Sequence, residues 1–265
     1  MRAVSDVRSA MGAAVDALTA AHCDTPRLDA ELLIADALGV SRAALIADPA
    51  MAIPPPAARL IGERMRRRVL REPVAYILGR QAFRHIELAV DSRVLIPRPE
   101  SELLVECAIE MDEGARVHDL GTGSGAIALA IAQERPDMHV TGSDVSNAAL
   151  DVARANAAQL QLDVEFGPEP VFDVDLLVAN LPYVREDEWA GLQPEIRGYE
   201  PGGALVSGAD GLDAIRALVA VAPAGTQLAL EHAPRQAAEV RALLVGGETL
   251  QDLAGRERVT LGSVP

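Results

Sequence analysis

Apolar residues recur every three to four positions through roughly the first seventy residues, alternate briefly after residue 85, and then gather into short runs separated by helical stretches. Val7, Met11, Val15 and Leu18 carry the spacing of a first amphipathic helix. A second helix is predicted from Thr25-Pro26, a capping residue followed by proline at the first helical position, through Leu28, Leu32 and Leu38 to Gly39. A short helix capped by Ser41 and a longer one after Pro54-Pro55-Pro56 complete a small bundle. The period then changes to two. Ile86, Leu88 and Val90 alternate with Glu87, Ala89 and Asp91, and Asp91-Ser92 is expected to turn this strand back as Val94-Leu95-Ile96, forming a hairpin.

From residue 100 onward, apolar runs at 117–120, 138–142, 164–166, 174–179, 227–231 and 259–262 alternate with helical stretches. Parallel strands joined by crossover helices account for that order, and ligands in such sheets sit at the strand carboxyl ends. The predicted fold class is α/β: a Rossmann-like, doubly wound sheet with a small N-terminal helical bundle and a linking β-hairpin. The expected boundaries are 1–75 for a helical domain that recognises the substrate, 76–98 for the hairpin and 99–265 for the catalytic domain.

Composition narrows the class. Aromatic residues make up only 3% of the 265, so Leu, Val, Ile and Ala must fill the core. All 24 basic residues are Arg, against 39 acidic ones, and the net charge of −15 repels phosphate backbones, so no stable nucleic-acid binding is expected. The run of Arg59, Arg64, Arg66, Arg67, Arg68 and Arg71 is a local exception at helical spacing, read first as a solvated face. Cys23 and Cys107 make no disulfide framework, no Cys/His cluster has metal-ligand spacing, and no apolar run approaches a membrane span of about 20 residues. A cytoplasmic monomer without metal or membrane attachment is the expectation.

Two motifs carry chemistry. In 117–125, Val-His-Asp-Leu-Gly-Thr-Gly-Ser-Gly, a strand runs into a glycine loop and then a helix, where bare backbone can approach a ligand and the helix start favours a carboxylate. Asp144 follows about twenty residues later at the end of the next strand, placed to accept hydrogen bonds from ribose hydroxyls. Together they predict a nucleoside-bearing cofactor, and the loop alone leaves NAD open because Gly121-x-Gly123-x-x-Ala126 loosely fits the dinucleotide pattern. The second motif, Asn180-Leu181-Pro182-Tyr183, ends an apolar strand and offers a side-chain carbonyl, a backbone carbonyl and an aromatic face to a planar nitrogen. Two acceptors holding the N–H groups of an amide can align its delocalised lone pair for methyl transfer, whereas hydride transfer needs no such pair. That favours S-adenosylmethionine as cofactor, whose amino-acid carboxylate also suits the helix start.

Other residues are weaker candidates. Asp119 is placed to orient the loop or the cofactor's amine, or merely to bond loop N–H groups. His118 reads as a core residue. Arg98 lies between Pro97 and Pro99, and it and Glu100 either shape a substrate pocket or form a local ion pair. Glu195 and Glu200 are candidates for closing over the substrate, Trp189 for packing the loop, and Glu165, Phe166 and Phe172 for contacting adenine.

Taken together the motifs resemble those of the release factor glutamine methyltransferases, over nearly the whole chain. The most specific stretches are 71–79, Arg-Glu-Pro-Val-Ala-Tyr-Ile-Leu-Gly, and 94–102, Val-Leu-Ile-Pro-Arg-Pro-Glu-Ser-Glu, with Tyr199-Glu200-Pro201, Asp210-Gly211-Leu212 and Leu230-Glu231 as further matches. The resemblance implies a class I methyltransferase fold with a final hairpin. It also implies transfer of a methyl group from S-adenosylmethionine to the side-chain nitrogen of the Gly-Gly-Gln glutamine in class I peptide chain release factors. Carried over by position, Asp119, Gly121, Thr122, Gly123, Ser124, Gly125, Asp144 and Asn180 would bind the cofactor. Asn180, Leu181, Pro182, Tyr183 and Arg98 would bind the glutamine, with Asn180, Pro182 and Tyr183 catalytic. The family usually has Pro at the position of Leu181. Asn-Leu-Pro-Tyr is familiar from ribosomal RNA adenine dimethyltransferases, so an adenine N6-methyltransferase is one alternative, and the shortened 156–180 stretch suggests another, a catalytically degenerate binding protein.

Overall fold

The computed structural model describes residues 6–265, which separate into two compact units, 6–79 with Gln193–Tyr199, and Arg80–Leu192 with Glu200–Pro265. The helical unit contains α1 (Val7–Ala20), α2 (Pro26–Leu38), α3 (Arg42–Ala47), α4 (Pro55–Val69) and α5 (Val74–Leu78). Asp6 caps α1 by accepting from Ser9 N at 2.8 Å, and Ser41 caps α3 by accepting from Ala44 N at 3.1 Å. Pro26 opens α2 as expected, and Gly39 ends it with a left-handed φ of +67°. Thr25, however, makes no cap bond; its hydroxyl donates instead to Asp29 Oδ1 at 2.8 Å. The buried face of α2 is also not the expected one. Ala30, Leu33 and Ile34 are buried while Leu28 is exposed, because α1, α3, α4 and α5 all pack on α2 and leave it no single apolar stripe.

The second unit opens with β1 (Arg80–Phe83) paired antiparallel to β2 (Ile86–Ala89). The alternation of Ile86 and Leu88 was legible, but the strand's partner lies before it and not at Val94-Leu95-Ile96. The chain reverses at Arg84, which takes a φ of +48°. The Asp91 carboxylate accepts from Arg93 N and the Arg93 guanidinium in a local turn, and Ile96 N donates to Glu200 Oε2 at 3.1 Å rather than to a strand.

The main sheet has the order β5-β4-β3-β6-β7-β9-β8. Strands β3 (Arg116–Leu120), β4 (His139–Ser143), β5 (Glu165–Gly167), β6 (Leu176–Ala179) and β7 (Gln227–Glu231) are parallel. Strand β8 (Val245–Gln251) and β9 (Glu257–Ser263) form a closing hairpin, with β9 antiparallel to β7. Around it lie α6 (Glu102–Ile109), α7 (Ala126–Glu134), α8 (Asn147–Leu160), α10 (Asp213–Val221) and α11 (Ala237–Leu243), whereas α9 (Pro194–Tyr199) belongs to the helical unit. The fully buried run of β6 shows why both faces are covered. Leu176 and Val178 join the core that holds Leu104, Leu129 and Leu150, while Leu177 and Ala179 join the core of Ile215, Leu218 and Leu228 on the opposite face. Each buried Leu or Val among them contributes about 1.5–3 kcal/mol by leaving water.

From β3 the chain first builds outward through β4 and β5, then returns to lay β6 on the other side of β3. This reversal opens a crevice at the carboxyl ends of β3 and β6, where residues 121 and 180 begin.

Candidate functional site

After Leu120 the chain turns through Gly121 (φ +75°), Gly123 (+55°) and Gly125 (+82°) into α7. A Cβ at Gly125 would lie 2.9 Å from Leu129 Cδ1 and 3.2 Å from the Phe166 ring, so glycine is required there by space as well as by backbone angle. Gly121 N and Thr122 N donate to Ser143 O at 2.8 and 2.9 Å, and Gly123 N donates to Asp144 Oδ2 at 3.0 Å. The loop therefore folds against the end of β4. Asp144, whose Oδ1 accepts from Ser146 N at 2.8 Å, stands at its edge.

A cavity of about 630 Å³ opens here, a size suited to a small-molecule ligand. Gly121, Gly123, Asp144, Asn180, Leu181 and Pro182 all line it. Apolar side chains form much of the remaining wall, including Val94, Leu95, Phe172 and Leu218. Beside Asp144, Val145 is 97% exposed and also lines the cavity.

Not every sequence candidate reaches the lining. Asp119 is wholly buried beneath the loop: its Oδ2 accepts from Thr122 Oγ1 at 2.6 Å and Ala128 N at 3.3 Å, and its Oδ1 has no partner among the described residues. Burial pushes its carboxyl up to about 7 against the pull of those two bonds. Thr122, Ser124 and Gly125 shape the loop from outside the lining, the Ser124 carbonyl accepting from Asn156 Nδ2 at 2.9 Å. Asn156 also bonds both Ala89 N and Ala89 O, tying β2 to the glycine loop.

Arg98 pairs with the buried Glu200 at 2.5 Å and lies outside the lining. Glu195 lies in the helical unit, where it accepts from Arg71. Trp189 packs near Gly202, and of the adenine-side candidates only Phe172 lines the cavity. Phe166 is buried under Gly125 and Gly142, and Glu165 is exposed.

His118 is buried in β3, bonded to Thr141 Oγ1 and Ser143 Oγ at 2.8 Å each, and its Nε2 accepts from Val171 N at 3.3 Å. Burial lowers its pKa to about 4, so the ring is neutral at pH 7. It moors the turn whose Pro168, Pro170 and Phe172 line the cavity.

At the other end of the cavity, Asn180 Nδ2 donates to Ser101 Oγ at 2.8 Å, Ser101 Oγ donates to Glu231 Oε2 at 2.6 Å, and Tyr183 Oη donates to Glu231 Oε1 at 3.2 Å. Tyr183 lies outside the lining, held by this bond. Burial and the nearby Glu231 raise its phenol above the ordinary range. Burial pushes the Glu231 carboxyl up to about 7. The donors from Ser101 and Tyr183 and the charge of Arg258 oppose the rise, while Glu100 adds to it. Ser101 and Glu231 were not among the sequence candidates. Both nevertheless fall in stretches that carry the family resemblance, 94–102 and Leu230-Glu231.

With this switch-point cavity, and with an antiparallel strand inserted after the parallel ones, the chain has the fold of a class I S-adenosylmethionine-dependent methyltransferase. Residues 9–79 match the PrmC N-terminal domain and residues 99–188 the methyltransferase small domain. The fold is shared with a methyltransferase from Pyrococcus furiosus, at a TM-score of 0.50 and 16% identity, over 76% of this chain and 96% of that one. A release factor glutamine methyltransferase from Xylella fastidiosa strain Temecula1 is 43% identical over 94% of this chain and 97% of its own length. Another from Neisseria gonorrhoeae is 41% identical over 89% and 93%. The chain belongs to the release factor glutamine methyltransferase family. Among the described residues no helix is long and apolar enough to cross a membrane, and no group of three or more His, Cys, Asp or Glu is gathered to hold a metal ion.

Proposed function

We propose that this chain methylates the side-chain amide nitrogen of the glutamine in the Gly-Gly-Gln loop of class I peptide chain release factors. The observation that carries this reading is the gathering of Gly121, Gly123, Asp144 and the Asn180-Leu181-Pro182 turn around one cavity. The cradle fits the cofactor: glycines admit close approach, Asp144 retains lone pairs for ribose hydroxyls, and exposed Val145 offers an apolar surface to a flat base. S-adenosylmethionine supplies the methyl group on a sulfonium. The chain's own residues supply orientation and exclusion of water.

Asn180 Oδ1 and the Leu181 carbonyl accept the two amide N–H groups of the substrate, turning the nitrogen lone pair to the methyl donor. Leu181 serves here through its backbone, so a side chain other than Pro is accommodated. Pro182 adds no competing N–H, and Tyr183, bonded to Glu231, holds the turn in place. Arg98 acts indirectly, holding Glu200 and through it the loop at Ile96. The helical unit is the docking surface for the release factor.

The test is incubation of the purified protein with S-adenosylmethionine and an unmethylated release factor, with the added methyl group mapped by peptide mass spectrometry. A methyl on the Gly-Gly-Gln glutamine that disappears with Asn180→Ala is expected. Cofactor binding without methylation of the release factor would overturn the substrate and turn attention to adenine. An absence of cofactor binding would favour the degenerate reading.

A further inference from the structure

We propose that Ser101 and Glu231 are positioning residues that fix which atom of the Asn180 amide faces the substrate; this rests on the methyl-transfer reading above. An ionised carboxylate has no proton to give and only accepts. Glu231, 1% exposed, therefore obliges Ser101 to spend its single hydroxyl proton on Oε2 at 2.6 Å. Ser101, itself 3% exposed, is left with lone pairs alone for Asn180, 2.8 Å away. Of the two ends of the amide only Nδ2 can meet a lone pair, so Oδ1 is turned to the cavity as an acceptor.

The opposite rotation of the amide by about 180° would present N–H groups to a substrate nitrogen that itself carries N–H, and two donors cannot bond. Nothing in an isolated Asn chooses between these rotations. Here the choice is made two residues away, by a buried acid with no cation in ion-pair contact among the described residues. Tyr183 Oη, the other donor to Glu231, is bound to the same anchor from within the Asn180–Tyr183 turn, so both ends of the turn are fixed by one carboxylate. The charged groups that bear on Glu231 are Glu100, which opposes its ionisation, and Arg258, which favours it. The relay has a direction when Glu231 is ionised, so the measurement is made at pH 8.5.

The experiment compares wild type, Ser101→Ala and Ser101→Thr with S-adenosylmethionine and an unmethylated release factor, recording kcat, the KM for release factor, cofactor affinity by calorimetry and the melting temperature. For Ser101→Ala, kcat is expected to fall roughly 10- to 100-fold, the cost of a misdirected positioning group, with KM and cofactor affinity within about twofold. Ser101→Thr, which keeps the hydroxyl, is expected to recover turnover to within about threefold of wild type. A Ser101→Ala enzyme with wild-type kcat, or a loss that appears as cofactor affinity, would overturn the relay. So would a loss that Ser101→Thr fails to restore in an equally stable protein. Inactivity of the wild type itself would instead overturn the methyl-transfer reading.

Discussion

Asp29 and Glu195 in the helical unit and Asp119 and Glu231 in the sheet unit are buried under opposite conditions. In the helical unit, Asp29 accepts from Arg68 at 2.7 Å, and Glu195 accepts from Arg68 at 2.8 Å and Arg71 at 2.6 Å, so each buried carboxylate meets a guanidinium. In the sheet unit, Asp119 and Glu231 are buried as deeply and are held by hydroxyls and a backbone N–H instead. Burial raises both toward 7, whereas Glu195 is lowered because its hydrogen bonds and arginines outweigh its desolvation. Paired acids hold a fold together, while acids buried without a cation cost stability and are retained where a site needs them.

The largest expected effect lies in the helical unit. Arg68→Leu leaves Asp29 without its cation and is expected to cost about 3–5 kcal/mol, measured by urea unfolding. A loss under about 1 kcal/mol would mean that the cluster is not the brace described.

Asp119→Asn tests the other side and carries the opposite sign. Because the folded carboxyl is raised from 3.8 to about 7, the stability Asp119 contributes is fully present below pH 3.8 and is lost as pH rises through about 7. The variant does not titrate, so its stability relative to wild type is expected to climb by on the order of 2–4 kcal/mol between pH 4 and pH 8. Parallel stability curves across that range would show that Asp119 titrates normally.

Asn180→Ala should lower turnover about a hundredfold or more while the melting temperature holds, the effect of losing one preorganised polar group. Near-normal turnover would remove Asn180 from its role. The smallest effect is expected at Asp144, where replacement by Ala should weaken cofactor binding by about 1.5–3 kcal/mol in calorimetry. Unchanged affinity would place the ribose elsewhere.

How much of this was legible in the sequence depends on the distance over which the information is written. The glycine loop, Asp144 and the Asn180 turn are local signals: strand, then bare backbone or a polar group at the strand's end. They were found, along with the alternation of strands and helices that makes the sheet. The hairpin partner of Ile86 was misassigned because Asp91-Ser92 and Arg84-His85 are both acceptable turns, and only pairing with Arg80–Phe83 decides between them. The face of α2 was misread because periodicity reports one buried side and this helix has several neighbours. Ser101 and Glu231 are single residues that meet by folding, 130 positions apart, and no spacing rule connects them. The same is true of Arg71 and Glu195, 124 positions apart.

That last pair has a consequence for how the protein is made. Gln193–Tyr199 completes the helical unit, so the unit's first 79 residues leave the ribosome without the glutamate that Arg68 and Arg71 require. At ordinary elongation rates the missing segment follows on the order of ten seconds later. Until then Arg71 lacks its carboxylate and Arg68 has Asp29 alone, and the first unit to be synthesised cannot be the first to finish folding. A fragment ending at Gly79 is therefore expected to be a different object from the same residues in the whole chain, and any dissection of the protein should carry its internal segment along with its amino-terminal one.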